Sequence, residues 1–200
     1  RQQHPTGRLL FGLGARTGVG LPGESPGRVP PRSSWSGSTF GNLPIGQGLS
    51  VTALQMAGMY QAIANDGVRI PPRIIAATIG PGGVRTATPR PDPVRVVSAR
   101  AATELRTMLT AVTQDAPGQT GTAPEAAVRG YQVAGKTGTA QQVDPRCGCY
   151  VRGRYWITFA GMAPSDDPRY VVGIMANNPQ RNADGTPGHS MAQLFHNIAA

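Results

Sequence analysis

Three segments of the chain carry apolar residues at helical spacing. The first follows Thr52 and Gln55, which form a Thr-x-x-Gln capping box, and it predicts a helix from Ala53 to about Ala64. The second predicts a helix from a Ser98 cap to about Gln114, and the third predicts a helix that begins near Ser190. Their apolar stripes indicate that all three helices pack on a core.

Between the last two helices, three strands are predicted in close succession, over Tyr131–Val143, Tyr155–Pro164 and Arg169–Asn177. The second and third are runs of apolar residues that are β-branched or aromatic, and a hairpin turn at Ser165–Pro168 links them. A shorter strand is predicted over Ile74–Ile79. Because consecutive strands with short links pair antiparallel, the pattern predicts an α+β fold, with helices packed on an antiparallel sheet.

The first part of the chain has a different composition. Residues 11–48 are dense in Gly, Pro and Ser, which predicts an extended, turn-rich connection that Trp35, Phe40 and Leu43 fix onto the core. Residues 1–10 show no clear period, and we interpret them as a vector-derived remnant or a truncated segment. Two hundred residues with 39% hydrophobic composition suit one domain, or most of one.

The chain is strongly basic, with a formal net charge of +9 and a pI near 10.7. One interpretation is an anionic partner such as nucleic acid, phospholipid headgroups or a cell-wall polymer. The other, which we favour, is a solvated surface in a protein from an arginine-favouring proteome. No arginine run is interleaved with aromatic residues and no nucleic-acid-binding motif is present, so nucleic acid is not expected as a partner.

Cys147 and Cys149 are the only cysteines, and a single glycine separates them. A structural metal site needs about four ligands, and only three histidines could add nitrogens to the two thiols. We therefore rank unpaired loop cysteines first, a local disulfide second and a metal site last. The sequence predicts neither a metal nor another cofactor.

Lys136 is the only lysine among 19 basic residues, and it lies in the run Gly-Lys-Thr-Gly-Thr-Ala that spans 135–140. Its ammonium group is a compact charge, the hydroxyls of Thr137 and Thr139 can donate hydrogen bonds, and Gly138 lets a ligand approach the backbone. This combination predicts a strand edge that binds the carboxylate of a substrate. The alternative is a solvated strand lysine whose stem covers apolar surface.

Lys-Thr-Gly occurs with Ser-x-x-Lys, which supplies the nucleophile, in penicillin-binding proteins and class A β-lactamases. That second motif would require a serine at position 133, which is valine here, and no Ser-x-Asn is present either. Either the other catalytic motifs, Ser-x-x-Lys and Ser-x-Asn, lie upstream of Arg1, or the Lys-Thr-Gly run is accidental.

A longer series of motifs resembles the division-type class B penicillin-binding proteins, in the family's order and approximate spacing. The motifs are Phe11–Gly14, Thr17-Gly18, Leu21–Glu24, Ile45–Gly48, Val51–Gln55, Thr120–Thr122, Gly130-Tyr131 and Ala134–Gln141. The resemblance implies the penicillin-binding-protein/serine β-lactamase-like fold, with residues 11–200 forming the C-terminal part of a transpeptidase domain. The Arg-, Ala- and Pro-rich composition suggests an actinobacterial source.

The resemblance also implies peptidoglycan D,D-transpeptidation, which cross-links stem peptides of the cell wall during septum formation. Enzymes of this kind are acylated on a serine by β-lactam antibiotics and work with divisome membrane proteins. They are anchored in the cell membrane, with the catalytic domain on the extracytoplasmic side. The serine would lie in the upstream half of the same protein, so we expect the chain alone to be inactive.

By the same resemblance, Lys136 and Thr139 are the expected catalytic residues. Lys136 would attract the substrate carboxylate, and the backbone N–H of Thr139 would be one of two oxyanion donors. Substrate binding is expected from Lys136, Thr137, Gly138, Thr139, Ala140, Gln141 and Gly188. We interpret Thr120 and Thr122 as turn-capping residues.

Two other functions fit the sequence. A serine β-lactamase or D,D-carboxypeptidase of the same superfamily would hydrolyse its acyl-enzyme, so deacylation of a penicilloyl complex would distinguish it. A non-catalytic basic module that binds an anionic polymer would lose binding at high salt and would be insensitive to Lys136→Ala. The motifs over 45–55 and 120–141 favour the transpeptidase.

Overall fold

The computed structural model of the protein describes residues 10–179 and 189–200. In chain order its α-helices are α1 (Thr39–Asn42), α2 (Ala53–Ala64), α3 (Ala99–Thr110) and α4 (His189–Ala199). Its strands are β1 (Val68–Arg69), β2 (Ala77–Ile79), β3 (Arg85–Ala87), β4 (Val94–Arg95), β5 (Asp115–Ala116), β6 (Gln119–Thr120), β7 (Ala134–Val143), β8 (Tyr150–Ala163) and β9 (Tyr170–Asn177).

Strands β7, β8 and β9 form the central antiparallel sheet, with β8 in the middle. The three predicted strands are confirmed, with shifted bounds. β7 begins later than predicted, at Ala134, because a tight turn precedes it, closed by a hydrogen bond from the Tyr131 amide. β8 begins earlier than predicted, because Tyr150 pairs with Val143 beyond a bulge that follows Gln141.

Helices cover both faces of this sheet. α2 lies against the face that contains Gly173, where a Cβ would come within van der Waals contact of Ala53 and Ala57 of the helix. α4 lies against the opposite face, where Phe195 packs on Phe159 with ring centroids 5.0 Å apart. α3 packs beside α2 and against β7. The predicted α+β arrangement of an antiparallel sheet flanked by helices is confirmed.

Two hydrophobic clusters hold these layers together. The cluster between the sheet and α4 is the larger, and its bulky members are Val133, Ile157, Phe159, Ile174, Met191 and Phe195. The cluster between the sheet and the α2–α3 pair contains Ile63, Ala134 and Met162, with Tyr60 and Leu109 packed against it. Burial raises the pKa of the Tyr60 hydroxyl to about 12, so the phenol stays protonated above the pH at which an exposed tyrosine ionises.

The capping box predicted for α2 is present. The Gln55 amide donates to Thr52 Oγ1 (3.1 Å), and the Thr52 amide donates to Gln55 Oε1 (2.9 Å). Gln55 is 3% exposed, and its Nε2 also donates to the carbonyls of Ala15 and Pro26, at 2.8 Å each. One buried side chain therefore fixes the start of α2 and ties the N-terminal connection to it.

α3 begins at its predicted cap but ends early. The Ala101 amide donates to Ser98 Oγ (3.1 Å), whereas the helix stops at Thr110 instead of continuing to about Gln114. The reason lies in the following segment, whose Ala123 amide donates to the Val112 carbonyl (2.9 Å). The end of α3 thus bonds to residues farther along the chain instead of extending the helix.

Residues 11–48 form the predicted turn-rich connection, but its anchoring differs from the expectation. Phe40 is 77% exposed, because α1 is a single turn on the surface, and its ring lies 6.4 Å from that of Trp35. Leu13 and Val19 are the residues that are buried. The prediction that Phe40 fixes this segment to the core is therefore wrong.

Hydrogen bonds between its two end residues close the loop from Thr17 to Glu24. The amide and the hydroxyl of Thr17 both donate to the Glu24 carboxylate. Hydrogen bonds from the Thr17 hydroxyl, which is the larger effect, and from the Thr17 amide hold the pKa of the Glu24 carboxyl below its usual value, so the carboxylate persists to lower pH. This contact gives the motifs at 17–18 and 21–24 a local structural role.

The prediction that ranked unpaired loop cysteines above a local disulfide is wrong. Cys147 and Cys149 form a disulfide, with Cα atoms 5.2 Å apart, in the turn between β7 and β8. The turn brings the two side chains together because the Gly148 amide donates to the Asp144 carbonyl and the Asp144 amide to the Cys149 carbonyl, at 2.8 Å each. Within the described residues neither cysteine is free.

Short peripheral pairs complete the structure. β2 pairs with β3 across the turn at 80–83, so the strand predicted over Ile74–Ile79 is confined to its last three residues. β3 falls in a Pro-rich stretch and was not predicted. No helix in the described parts of the chain is both long and apolar enough to cross a membrane.

Replacing Gln55 with leucine is expected to destabilise the protein, because the Thr52 amide and two carbonyls then lose their buried partner. At about 1 kcal/mol for each lost bond, the free energy of unfolding falls by about 2–4 kcal/mol. Chemical denaturation of the full-length protein, followed through this domain's transition, measures the change. The control Arg100→Ala removes an exposed ion pair with Glu104 and changes little. Equal stability of the two variants would contradict this role of Gln55.

Candidate active site

The predicted binding run lies on β7, at the edge of the central sheet. β8 pairs with one side of β7, and none of the described strands pairs with its other side. The register places Lys136 opposite Ala160 and Thr137 opposite Phe159. Because side chains alternate along a strand, Lys136 belongs to the α2–α3 face and Thr137 and Thr139 to the α4 face.

Two glycines let β7 pack closely on β8. A Cβ at Gly135 would lie 2.6 Å from Phe159 Cζ, inside the larger hydrophobic cluster. A Cβ at Gly138 would overlap the hydroxyl of Thr158. Glycine at both positions therefore allows the backbone around Lys136 to lie directly against the neighbouring strand.

Lys136 is exposed, and its side chain turns along the strand edge. Its Nζ donates to the Thr137 carbonyl (2.9 Å) and lies 3.5 Å from Thr137 Oγ1. None of the ion pairs within residues 10–179 and 189–200 includes this ammonium group. The charge is therefore available to an anionic ligand that approaches the open edge of β7.

A second threonine reaches the same place from a different part of the chain. Thr122 Oγ1 lies 3.4 Å from Thr137 Oγ1. The preceding residue, Gly121, presses against the end of α3, where a Cβ would overlap the carbonyls of Ala111 and Val112. Only a glycine lets this segment approach so closely, and the approach carries Thr122 to β7.

Thr120 and Thr122 were both interpreted as turn-capping residues, and the structure separates them. Thr120 Oγ1 lies 3.3 Å from Asp115 Oδ1 across the β5–β6 turn, which confirms that interpretation. Thr122 instead contacts Thr137, and the sequence motif gave no direct signal of this because the two residues are 15 positions apart.

Thr113 joins α3 to the start of β7, and sequence reasoning did not single it out. It is buried, and its Oγ1 lies 2.9 Å from the Val133 carbonyl and 3.2 Å from the Thr110 carbonyl. This contact fixes the strand immediately before Gly135 and Lys136. A lone threonine after a helix carries no pattern that would have identified it.

The remaining predicted residues continue along the strand. Thr139 is exposed, and Ala140 and Gln141 are half-buried. Six of the seven predicted binding residues thus share one strand, whereas Gly188 lies outside the described residues. In the part of the chain that the structure describes, no three His, Cys, Asp or Glu side chains are grouped to hold a metal ion.

Residues 9–200 match the family described as the penicillin binding protein transpeptidase domain. The chain belongs to this transpeptidase family. This match and the relatives described next together confirm the resemblance to the division-type penicillin-binding proteins.

Three relatives show how much of a penicillin-binding protein the chain represents. Penicillin-binding protein PbpB of Mycobacterium tuberculosis is 70% identical over 94% of this chain and 28% of that protein. PbpB of Mycolicibacterium smegmatis is 64% identical over 95% of this chain and 30% of that protein. The peptidoglycan D,D-transpeptidase FtsI of Escherichia coli is 35% identical over 85% of this chain and 26% of that protein. The chain therefore spans less than a third of these relatives, and the two mycobacterial ones agree with the expected actinobacterial source.

Solved structures show the same fold. Penicillin-binding protein 3 of Mycobacterium tuberculosis, complexed with ampicillin, superposes with a TM-score of 0.90 at 68% identity, covering 96% of this chain and 43% of that one. The transpeptidase domain of Burkholderia pseudomallei penicillin-binding protein 3 superposes with a TM-score of 0.76 at 36% identity, covering 96% of this chain and 54% of that one. The predicted penicillin-binding-protein fold class is confirmed.

The packing of β7 can be tested with a matched pair of glycine variants. Gly135→Ala places a methyl group where Phe159 and Ala160 leave no room, so β7 must shift away from β8. We expect the free energy of unfolding to fall by about 1–3 kcal/mol, measured by denaturation of the full-length protein. Gly37→Ala is the control, since no atom lies within 4 Å of its added Cβ. The packing described here is wrong if both variants are as stable as the wild type.

Proposed function

We propose that the chain forms the Lys-Thr-Gly substrate-binding strand of a peptidoglycan D,D-transpeptidase that cross-links stem peptides during septum formation. The observation that carries the proposal is the ammonium group of Lys136 at the open edge of β7. It lies beside the Thr137 hydroxyl and has no carboxylate partner among the described residues. The free carboxylate at the end of a stem peptide fits this arrangement. The family and the relatives named as D,D-transpeptidases support the same reaction.

The proposed reaction is acyl transfer. A serine attacks the penultimate D-Ala carbonyl, the terminal D-Ala leaves, and an amine of a neighbouring peptide takes the acyl group. We place this serine in the upstream half of the same protein, because these 200 residues contain no Ser-x-x-Lys. β-Lactam antibiotics would acylate the same serine, and the ampicillin complex of the Mycobacterium tuberculosis relative supports this part of the proposal.

Lys136 has the main electrostatic role in this proposal. An ammonium and a carboxylate about 4 Å apart, at an effective dielectric constant near 20, attract each other by about 4 kcal/mol before desolvation. The hydroxyls of Thr137 and Thr139 would donate to the same carboxylate. Since Lys136 reaches around the strand edge to Thr137, donors from both faces of β7 can meet one ligand at that edge.

The backbone of β7 has two further roles in the proposal. The N–H of Thr139 would stabilise the oxyanion, a contribution worth about 3 kcal/mol of barrier when one donor is lost. The unpaired strand edge, with Gly138, Ala140 and Gln141, would hold the stem peptide as an added strand. Gly188 would border the substrate cleft.

The same proposal includes the cellular location of the whole protein and its protein partners. The resemblance to the division-type penicillin-binding proteins leads us to propose a cell-membrane anchor outside these 200 residues, with the catalytic domain on the extracytoplasmic side. Divisome membrane proteins would be its partners. No role for nucleic acid is proposed.

Acylation of the full-length protein by a fluorescent penicillin tests the role of Lys136. Lys136→Ala removes the charge that attracts the carboxylate, and we expect the second-order rate constant of acylation to fall roughly 100- to 1000-fold. The matched control is Arg85→Ala, which removes an equal charge from the peripheral strand β3 and leaves the rate unchanged. Labelling of the Lys136→Ala protein at the wild-type rate would rule out the proposed function.

A further inference from the structure

The hydroxyl of Thr137 has two polar side-chain neighbours. Lys136 Nζ lies 3.5 Å from Thr137 Oγ1, and Thr122 Oγ1 lies 3.4 Å from the same atom. Both distances exceed the usual values, which are about 2.9 Å for an N–H···O bond and about 2.8 Å for a hydroxyl pair. Contacts of this kind in a ligand-free site are commonly long and shorten when the ligand binds.

The donors and acceptors of this group define where the Thr137 proton can point. An ammonium group only donates, so Lys136 can use Thr137 Oγ1 only as an acceptor. A hydroxyl has two lone pairs and one proton. When Thr122 donates to the second lone pair, both lone pairs are occupied, and the Thr137 proton must be directed at a third group.

We infer that Thr122 is a positioning residue that orients the Thr137 hydroxyl, so that its proton is presented to the carboxylate of the bound ligand. The inference rests on the proposed function, in which that carboxylate lies beside Lys136 and Thr137. Thr122 acts through Thr137, and its place is fixed by the close approach of Gly121 to the end of α3.

A double-mutant cycle on the full-length protein tests this inference, with the rate of acylation by a fluorescent penicillin as the readout. Thr122→Val keeps the shape of the side chain and removes its hydroxyl. We expect a fivefold to tenfold loss of rate, the equivalent of one hydrogen bond of about 1 kcal/mol. Thr122→Ser keeps the hydroxyl and stays within about twofold of the wild type. In a Thr137→Val background, Thr122→Val causes no further loss, because the hydroxyl that it orients is already absent.

The outcomes separate the possible roles of Thr122. An unchanged rate for Thr122→Val overturns the inference, and so does an equal loss of rate in the wild-type and Thr137→Val backgrounds. A fall in the melting temperature of Thr122→Val that Thr122→Ser shares assigns Thr122 a structural role and also overturns it. If Lys136→Ala is acylated as fast as the wild type, the proposed function itself fails. If Lys136→Ala is slow and Thr122→Val is not, only the role of Thr122 fails.

Discussion

The ammonium group of Lys136 lies at the edge of a β-sheet with no carboxylate in the described residues to neutralise it. The chain has no other lysine, so this compact charge is chemically distinct from the arginines elsewhere on its surface. Its stem extends from the α2–α3 face of β7, while its nitrogen reaches the Thr137 carbonyl. The proposed binding of a stem-peptide carboxylate depends on this position at the strand edge.

The packing behind β7 determines where that edge lies. Gly135 fits against Phe159 in the larger hydrophobic cluster, and Thr113 bonds to the carbonyl immediately before the strand. Gly121 brings a second segment against the end of α3 and so carries Thr122 to the site. A larger residue would not fit at Gly135 or Gly121, and a residue without the hydroxyl of Thr113 would not form its hydrogen bond. The binding strand is therefore positioned by the core and by the helix end, and the exposed residues of the site need few contacts of their own.

Local chemistry explains which features could be predicted from the sequence. The start of α2 was predicted correctly because Thr52 and Gln55 are three residues apart and bond to each other. Runs of apolar residues that are β-branched or aromatic likewise located β8 and β9. Phe40 was misjudged because its exposure depends on how a single-turn helix sits on the rest of the fold. The contact between Thr122 and Thr137 depends on the return of the chain past the end of α3. No local sequence pattern predicts that return.

A crystal structure of the full-length protein acylated by a penicillin is the most direct test of the central claim. The account predicts that the carboxylate of the antibiotic lies within about 4 Å of Lys136 Nζ. It also predicts hydrogen bonds to that carboxylate from the hydroxyls of Thr137 and Thr139. A carboxylate bound by other residues, with the Lys136 ammonium pointing into solvent, would contradict it.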